Sequence, residues 1–356
     1  MPDRGPVTKP TPAKAPARAV RAQARLTDAD AALLALGRWL ASQDYHFISP
    51  TPVTHALVNA RAKRAGAVAG SAHDVFGWSR PFSSSLLPST VVALLERGGA
   101  LDRRGDLLAS RVRFSTLGDA LYMHSSFPTS DADAVFFGPD TYRFAAFIEA
   151  TLALAPVTTA QRIVDVGCGT GAGGIVALRA ASSTGGLTLT DISAKALRFA
   201  RINAALNGVP AEFFQCDLFS GVDGDIDLIV ANPPYLVDPK GRLYRDGGGT
   251  QGQELSLRIV REGIMQLSVG GALLLYTGSC IVNGDDLLRS QIVACVNEAC
   301  ARGVSLELSY RELDPDVFGE ELALPGYETV DRIAVVGAVI RRSSSPHRTG
   351  VTRAML

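Results

Sequence analysis

Asn232-Pro233-Pro234-Tyr235 carries the most chemistry of any stretch in this 356-residue chain. It follows the apolar run 226–231, which reads as a buried strand ending in a tight turn. An asparagine side chain, a backbone carbonyl fixed by proline and an aromatic ring are then presented together at a strand's C-terminal end. Such a set can hold a flat –NH2 group. The Asn232 side-chain oxygen and the Pro233 carbonyl accept its two N–H bonds, and Tyr235 stacks on its plane. Amide and aromatic-amine nitrogens are poor nucleophiles because their lone pairs are delocalised. Accepting both N–H bonds favours electron density on nitrogen and aims the lone pair at an electrophile. Taken alone, the stretch is equally a plain loop breaker, because a residue before proline is pushed towards extended geometry.

A second set lies upstream, in Asp165-Val166-Gly167-Cys168-Gly169-Thr170-Gly171. Open parallel sheets bind ligands beyond the carboxyl ends of their strands. The strand 162–166 would deliver Gly167, Gly169 and Gly171 there, where they permit a tight turn and close backbone approach. Asp165 can meet a ligand ammonium, such as that of a methionine moiety, through ordered water. Asp191, with Ile192 beside it, ends the next strand and can accept both hydroxyls of a ribose. Asp217 ends the third, where it can accept from an adenine amino group while Leu218 covers the ring. A glycine turn and Asp191 also suit a nicotinamide-dependent oxidoreductase, and that reading stays open on these residues.

The elements that position these residues follow from periodicity. Strands are predicted at 162–166, 187–190, 212–215, 226–231, 272–276, 304–308 and 332–339, with helices at 174–181, 194–207, 255–267 and 285–302. Alternation of this kind predicts an α/β fold with a mainly parallel sheet covered on both faces. A long helix-free loop through Pro315, Gly319 and Pro325 predicts that the last strand enters antiparallel. Upstream, Thr27 is placed to cap a helix over 28–42. A second helix is expected near 88–97, ended by Gly98-Gly99. Strands at 107–114 and 120–124, joined through Gly118-Asp119, complete a small α+β module, possible in a winged-helix-like form. The domains expected are a disordered basic tail (1–26), an N-terminal substrate-recognition domain (27–136), the sheet domain (137–342) and a flexible C-terminal tail (343–356).

Residues 163–171, Asp191, 215–220 and Asn232–Tyr235 resemble the glutamine-N5 methyltransferases of peptide-chain release factors. They also resemble the wider group that methylates the amino groups of adenine or guanine. Pro139-Asp140-Thr141 looks like the segment that precedes the fold in that family, and Asp246–Gly252 resembles its glycine-rich region. The resemblance covers about residues 137–340. It implies a class I, Rossmann-like methyltransferase fold, with a seven-stranded sheet, and the cofactor S-adenosylmethionine. By the same resemblance Gly167, Cys168, Gly169, Thr170, Gly171, Asp191, Leu218 and Asn232 contact that cofactor, and Asn232 to Tyr235 hold the substrate amide. The implied partner is macromolecular, either a protein such as a release factor or an RNA.

Bulk properties agree with such a protein. The formal net charge is zero and 47% of residues are hydrophobic. Residues 1–25 hold six basic side chains against one acidic, so the rest is mildly acidic. The tail reads as a solvated leader, or as a contact for RNA. Arg103, Arg104, Arg111 and Arg113 could likewise meet phosphates or simply solvent. No apolar run reaches the roughly 18 residues of a membrane span, and residues 1–25 lack a signal-peptide core, so a cytoplasmic protein is expected. The five cysteines are odd in number and lack a CxxC pair. They read as reduced and buried, and the five histidines show no metal spacing.

Overall fold

The computed structural model describes residues 20–21 and 25–344, apart from 65, 67, 158–160, 183–184, 223, 239–240 and 250. Most of the expected basic tail and all but 343–344 of the expected C-terminal tail lie outside these residues. Within the former, β1 (Val20–Arg21) pairs antiparallel with a strand of the main sheet.

The N-terminal portion holds α1 (Asp28–Ser42), α2 (Pro52–Arg64), α3 (Ala72–Phe76) and α4 (Ser89–Arg97). Two hairpins follow, β2 (Leu101–Arg104) with β3 (Leu107–Ser110), and β4 (Val112–Leu117) with β5 (Ala120–Ser125). Thr27 caps α1 through a reciprocal box with Asp30, as its residue type predicts. The expected strand 107–114 is two strands, parted at Arg111. The Ser110 hydroxyl donates to the Val112 carbonyl and accepts from its N–H, a local loop that competes with a continuous ladder. The expected arginine cluster is also broken up. Arg113 is buried, with its guanidinium on His55 Nδ1 at 3.0 Å and on the Ser125 carbonyl at 3.3 Å. Burial lowers its pKa to about 10. Arg103 and Arg104 pair on the surface with Glu96 and Asp102.

The remainder runs α5 (Pro139–Leu154), β6 (Arg162–Val166), α6 (Ala172–Ala180), β7 (Gly186–Asp191), α7 (Ala194–Leu206), β8 (Glu212–Gln215) and β9 (Ile226–Ala231). It continues through α8 (Glu254–Gln266), β10 (Leu267–Val282), β11 (Asp285–Asp286), α9 (Leu287–Ala301), β12 (Leu306–Asp314), a 3-10 turn (Gly319–Ala323) and β13 (Arg332–Arg342). The sheet order is β1-β8-β7-β6-β9-β10-β13-β12, with β11 on β10. β8, β7, β6, β9 and β10 are mutually parallel, and β13 enters antiparallel between β10 and β12. This is the mostly parallel α/β sheet that the periodicity predicts. β6, β8 and β9 have the predicted bounds. β10 and β12 run past theirs.

The N-terminal portion packs on the sheet domain through α7. Leu33, Leu36, Phe76, Phe114 and Met123 form one buried cluster with Ala196, Phe199 and Ile202. Burying each large side chain contributes about 1.5–3 kcal/mol. Asn203, fully buried on α7, is the polar counterpart. Its side chain accepts from the Met123 N–H at 2.7 Å and donates to the carbonyls of Met123 and Thr170 at 2.9 and 3.0 Å. One amide thus ties β5 to the glycine turn. Asn203→Ala leaves a buried backbone donor and two acceptors unpaired, and should destabilise the fold by roughly 2–3 kcal/mol in denaturant unfolding.

Candidate active site

β6 and β9 pair in parallel with Val166 opposite Ala231, so Gly167 and Asn232 leave the sheet side by side. The strand ends carry Asp191 and Cys216 to the same edge. Beyond that edge lies a cavity of about 540 Å³. Asp165, Gly167, Cys168, Gly169, Thr170, Asp191, Ile192, Asp217, Leu218 and Asn232 to Tyr235 all line it. Of the residues singled out in the sequence, Gly171 does not. It caps α6 at φ 78°, and a Cβ there would press on Leu189 and Ala200, so its role is packing.

The glycine turn suits a ligand. Gly167 and Gly169 have positive φ, 67° and 53°, which favours glycine, and a Cβ on either would meet no protein atom within 4 Å. Asp191 accepts from the Gly169 N–H at 2.9 Å and the Ser193 N–H at 2.8 Å. Its carboxylate is thereby fixed, with lone pairs left to take a ribose diol. Burial raises its pKa, and the two N–H bonds oppose that shift. Ile192 exposes 59% of its surface beside it, an apolar face for a ring to cover. Asp217 Oδ2 accepts from Arg258 at 3.0 Å, leaving Oδ1 to meet an amino group. Leu218, held at φ 51°, is buried next to it. These residues fit the nucleoside and amino-acid ends of S-adenosylmethionine.

Asp165 is buried, and its Oδ2 accepts from the Gly174 N–H at 2.7 Å. Burial pushes its carboxyl up to about 7 against that bond, with Asp191 adding to the rise. Cys168 and Cys216 are buried thiols raised by the same desolvation, Cys216 to about 11, and so are poor nucleophiles.

The second set is equally defined. Among the described residues nothing hydrogen-bonds the Asn232 side chain or the Pro233 carbonyl. Both acceptors are therefore free at the cavity wall. Tyr235 lines the cavity, and its hydroxyl is spent on Asp140 at 2.7 Å. Phe318 meets the Tyr235 ring edge-on at 6.0 Å. The following loop is held by Asp238, whose carboxylate pairs with Arg242 at 2.7 Å and is thereby lowered to about 2. Arg245 bridges on to Glu321. Tyr244 stacks on Phe136 at 5.7 Å and donates to the Thr129 carbonyl, closing one wall. Sequence patterning assigns no role to Tyr244, Phe318 or Arg258. Asp140 lies in the approach segment Pro139-Asp140-Thr141, and the position of that segment was its only signal. Among the described residues no group of three or more His, Cys, Asp or Glu could hold a metal ion.

Residues 146–289, which include both sets, match the family model described as methyltransferase small domain. The match spans 144 of the 356 residues. The matching model is a methyltransferase one, not that of the oxidoreductase the glycine turn left open. The chain is 38% identical over 159 residues to a release factor glutamine methyltransferase of Deinococcus radiodurans, covering 41% of this chain and 55% of that one. It is 35% identical over 115 residues to a ribosomal RNA small subunit methyltransferase C of Salmonella choleraesuis, covering 32% and 30%. The chain thus spans about half or less of the length of these relatives. A T. thermophilus 16S rRNA methyltransferase, solved in complex with AdoMet and guanosine, is a distant likeness. Its identity is 14% and its TM-score 0.41, over 70% of this chain and 60% of that one. In this chain no helix among the described residues is long and apolar enough to cross a membrane.

Two binding predictions follow from the site's geometry. Asp191→Ala should weaken S-adenosylmethionine binding by roughly 1.5–3 kcal/mol, the scale of a hydrogen bond to a charged group; calorimetry that finds affinity unchanged would exclude the ribose placement. A ligand ammonium needs Asp165 ionised. Affinity should therefore strengthen as pH rises from about 6 towards 7, by at most tenfold per unit, and level off above. Asp165→Asn should flatten that profile.

Proposed function

We propose that the protein is an S-adenosylmethionine-dependent N-methyltransferase acting on a planar amino group. The observation that carries this reading is the pair of free acceptors, the Asn232 side chain and the Pro233 carbonyl, at the wall of a cavity suited to that cofactor. When bound, S-adenosylmethionine supplies a methyl group on a sulfonium, which the substrate nitrogen takes as the carbon–sulfur bond breaks, leaving S-adenosylhomocysteine. Asn232 and Pro233 accept the two N–H bonds of the incoming –NH2. In doing so they fix its plane and raise electron density on nitrogen. The Tyr235 ring supports that plane from within the wall. The surplus proton leaves to water after transfer, so no base in the wall has to take it. Positioning of this kind can lower a barrier by on the order of 7–11 kcal/mol in favourable cases, and fixed dipoles add to it.

The substrate we favour is a glutamine side-chain amide in a protein of the release-factor type. The name of the Deinococcus relative and the Asn232–Tyr235 set support that choice. A second reading, the exocyclic amine of guanine or adenine in RNA, is favoured by α2. Pro52, its first residue, lines the cavity rim. The helix contains no acidic residue and exposes Arg61, Lys63 and Arg64, which form no ion pair among the described residues.

Labelled S-adenosylmethionine added to a cell lysate, then split between protease and RNase, decides between them. Protease-sensitive label is the expected result, and RNase-sensitive label would transfer the assignment to RNA. Asn232→Ala should lower turnover by about a hundredfold or more, the scale of a lost preorganised polar group. Its S-adenosylmethionine affinity should change far less, as calorimetry can check.

A further inference from the structure

We propose that Asp140 is a positioning residue for methyl transfer, acting through the Tyr235 ring. The inference rests on the N-methyltransferase reading above, for either class of acceptor. Asp140 lies in the first turn of α5 and is 9% exposed. Its two oxygens are divided between two tyrosines on different parts of the sheet edge. Oδ2 accepts from Tyr235 at 2.7 Å, and Oδ1 accepts from Tyr276 of β10 at 2.9 Å. Arg143, one turn on, reaches Oδ1 at 3.3 Å and is itself held by Asp314 at 3.1 Å. Asp140 therefore sits where α5, the Asn232–Tyr235 turn and β10 converge.

Among the described residues the Tyr235 side chain has no other polar anchor. Its ring lies over Gly278, where a Cβ would come within 2.1 Å of it, and Phe318 meets it edge-on. Those contacts limit where the ring can go, but among the described residues only Asp140 binds its hydroxyl. Hydrogen bonds to a carboxylate are short and strong. Removing this one leaves a buried donor without an acceptor, which drives the hydroxyl towards the water of the cavity. The ring moves with it, and Tyr235 is only three residues from Asn232 and two from the Pro233 carbonyl. Both acceptors then lose their aim. A shift of about 1 Å in such a constellation can cost roughly a hundredfold.

The test is a double-mutant cycle on kcat, with purified release factor as acceptor, or ribosomal RNA if the lysate label proves RNase-sensitive. Asp140→Ala should lower kcat by between about tenfold and a hundredfold. Acceptor KM should stay nearly constant, and thermal unfolding should show folded protein. Tyr235→Phe keeps the ring and removes its anchor without leaving a hydroxyl to seek water, and should lower kcat by less than Asp140→Ala. The double variant should be no worse than Asp140→Ala alone, because both changes remove one interaction. Tyr276→Phe leaves the Tyr235 bond in place and should have the smallest effect. Should Asp140→Ala fail to fold, Asp140→Asn, which keeps the shape and exchanges one acceptor for a donor, takes its place in the cycle. Losses that multiply in the double variant, or folded Asp140 variants with unchanged kcat, would overturn the proposal. Absence of transfer by the unaltered protein into both acceptors would overturn the methyltransferase reading itself, and this inference with it.

Discussion

The parallel pairing of β6 with β9 is the constraint from which the site derives. Val166 and Ala231 lie opposite one another, so the next residue of each strand must emerge at the same edge. Neighbouring strands lie about 4.8 Å apart. A glycine turn and an asparagine 65 positions further along the chain are thereby brought to one wall. Nothing in the loops has to achieve that. β7 and β8, paired in order on the far side of β6, add Asp191 and Asp217 by the same logic. The cavity is where four strand ends meet, and the helices only close it.

Free acceptors at such a wall carry a cost. Asn232 and the Pro233 carbonyl are held partly away from water, with no partner among the described residues. A fully buried polar group left so is destabilising by about 1–3 kcal/mol, and these acceptors at a cavity wall bear a part of that. The surroundings offset this with bonds that are fully made. Asp191 takes two backbone N–H groups, and Asp238 takes Arg242. The contrast between satisfied supports and unsatisfied acceptors is what a preorganised site requires.

Much of this was legible because it depends on local pattern. β6, β8 and β9 are short apolar or alternating runs bounded by turn residues, and their bounds agree with the periodicity. The glycines and Asp191 follow from where strands of an open sheet end. What was not legible depends on distant partners. α2 has no apolar stripe to detect, since His55 is its one buried residue. Arg113 looks like a surface cation in sequence, yet the fold carries it inside to His55. Asp140 reads as an ordinary first-turn carboxylate at a helix start. Its partners lie 95 and 136 positions away. The division of 107–114 into two strands turns on one serine hydroxyl bonding back to its own loop.

The Asn203 amide has a wider consequence. It holds the backbone of β5 with a pair of bonds and the Thr170 carbonyl with a single one. The hairpin of the N-terminal portion and the glycine turn are therefore tied to the same side chain. Free-energy coupling between two sites is reciprocal. A displacement of the Thr170 carbonyl would strain the Met123 bonds, and a displacement of the hairpin would strain the Thr170 bond, so neither can shift without the other's cost.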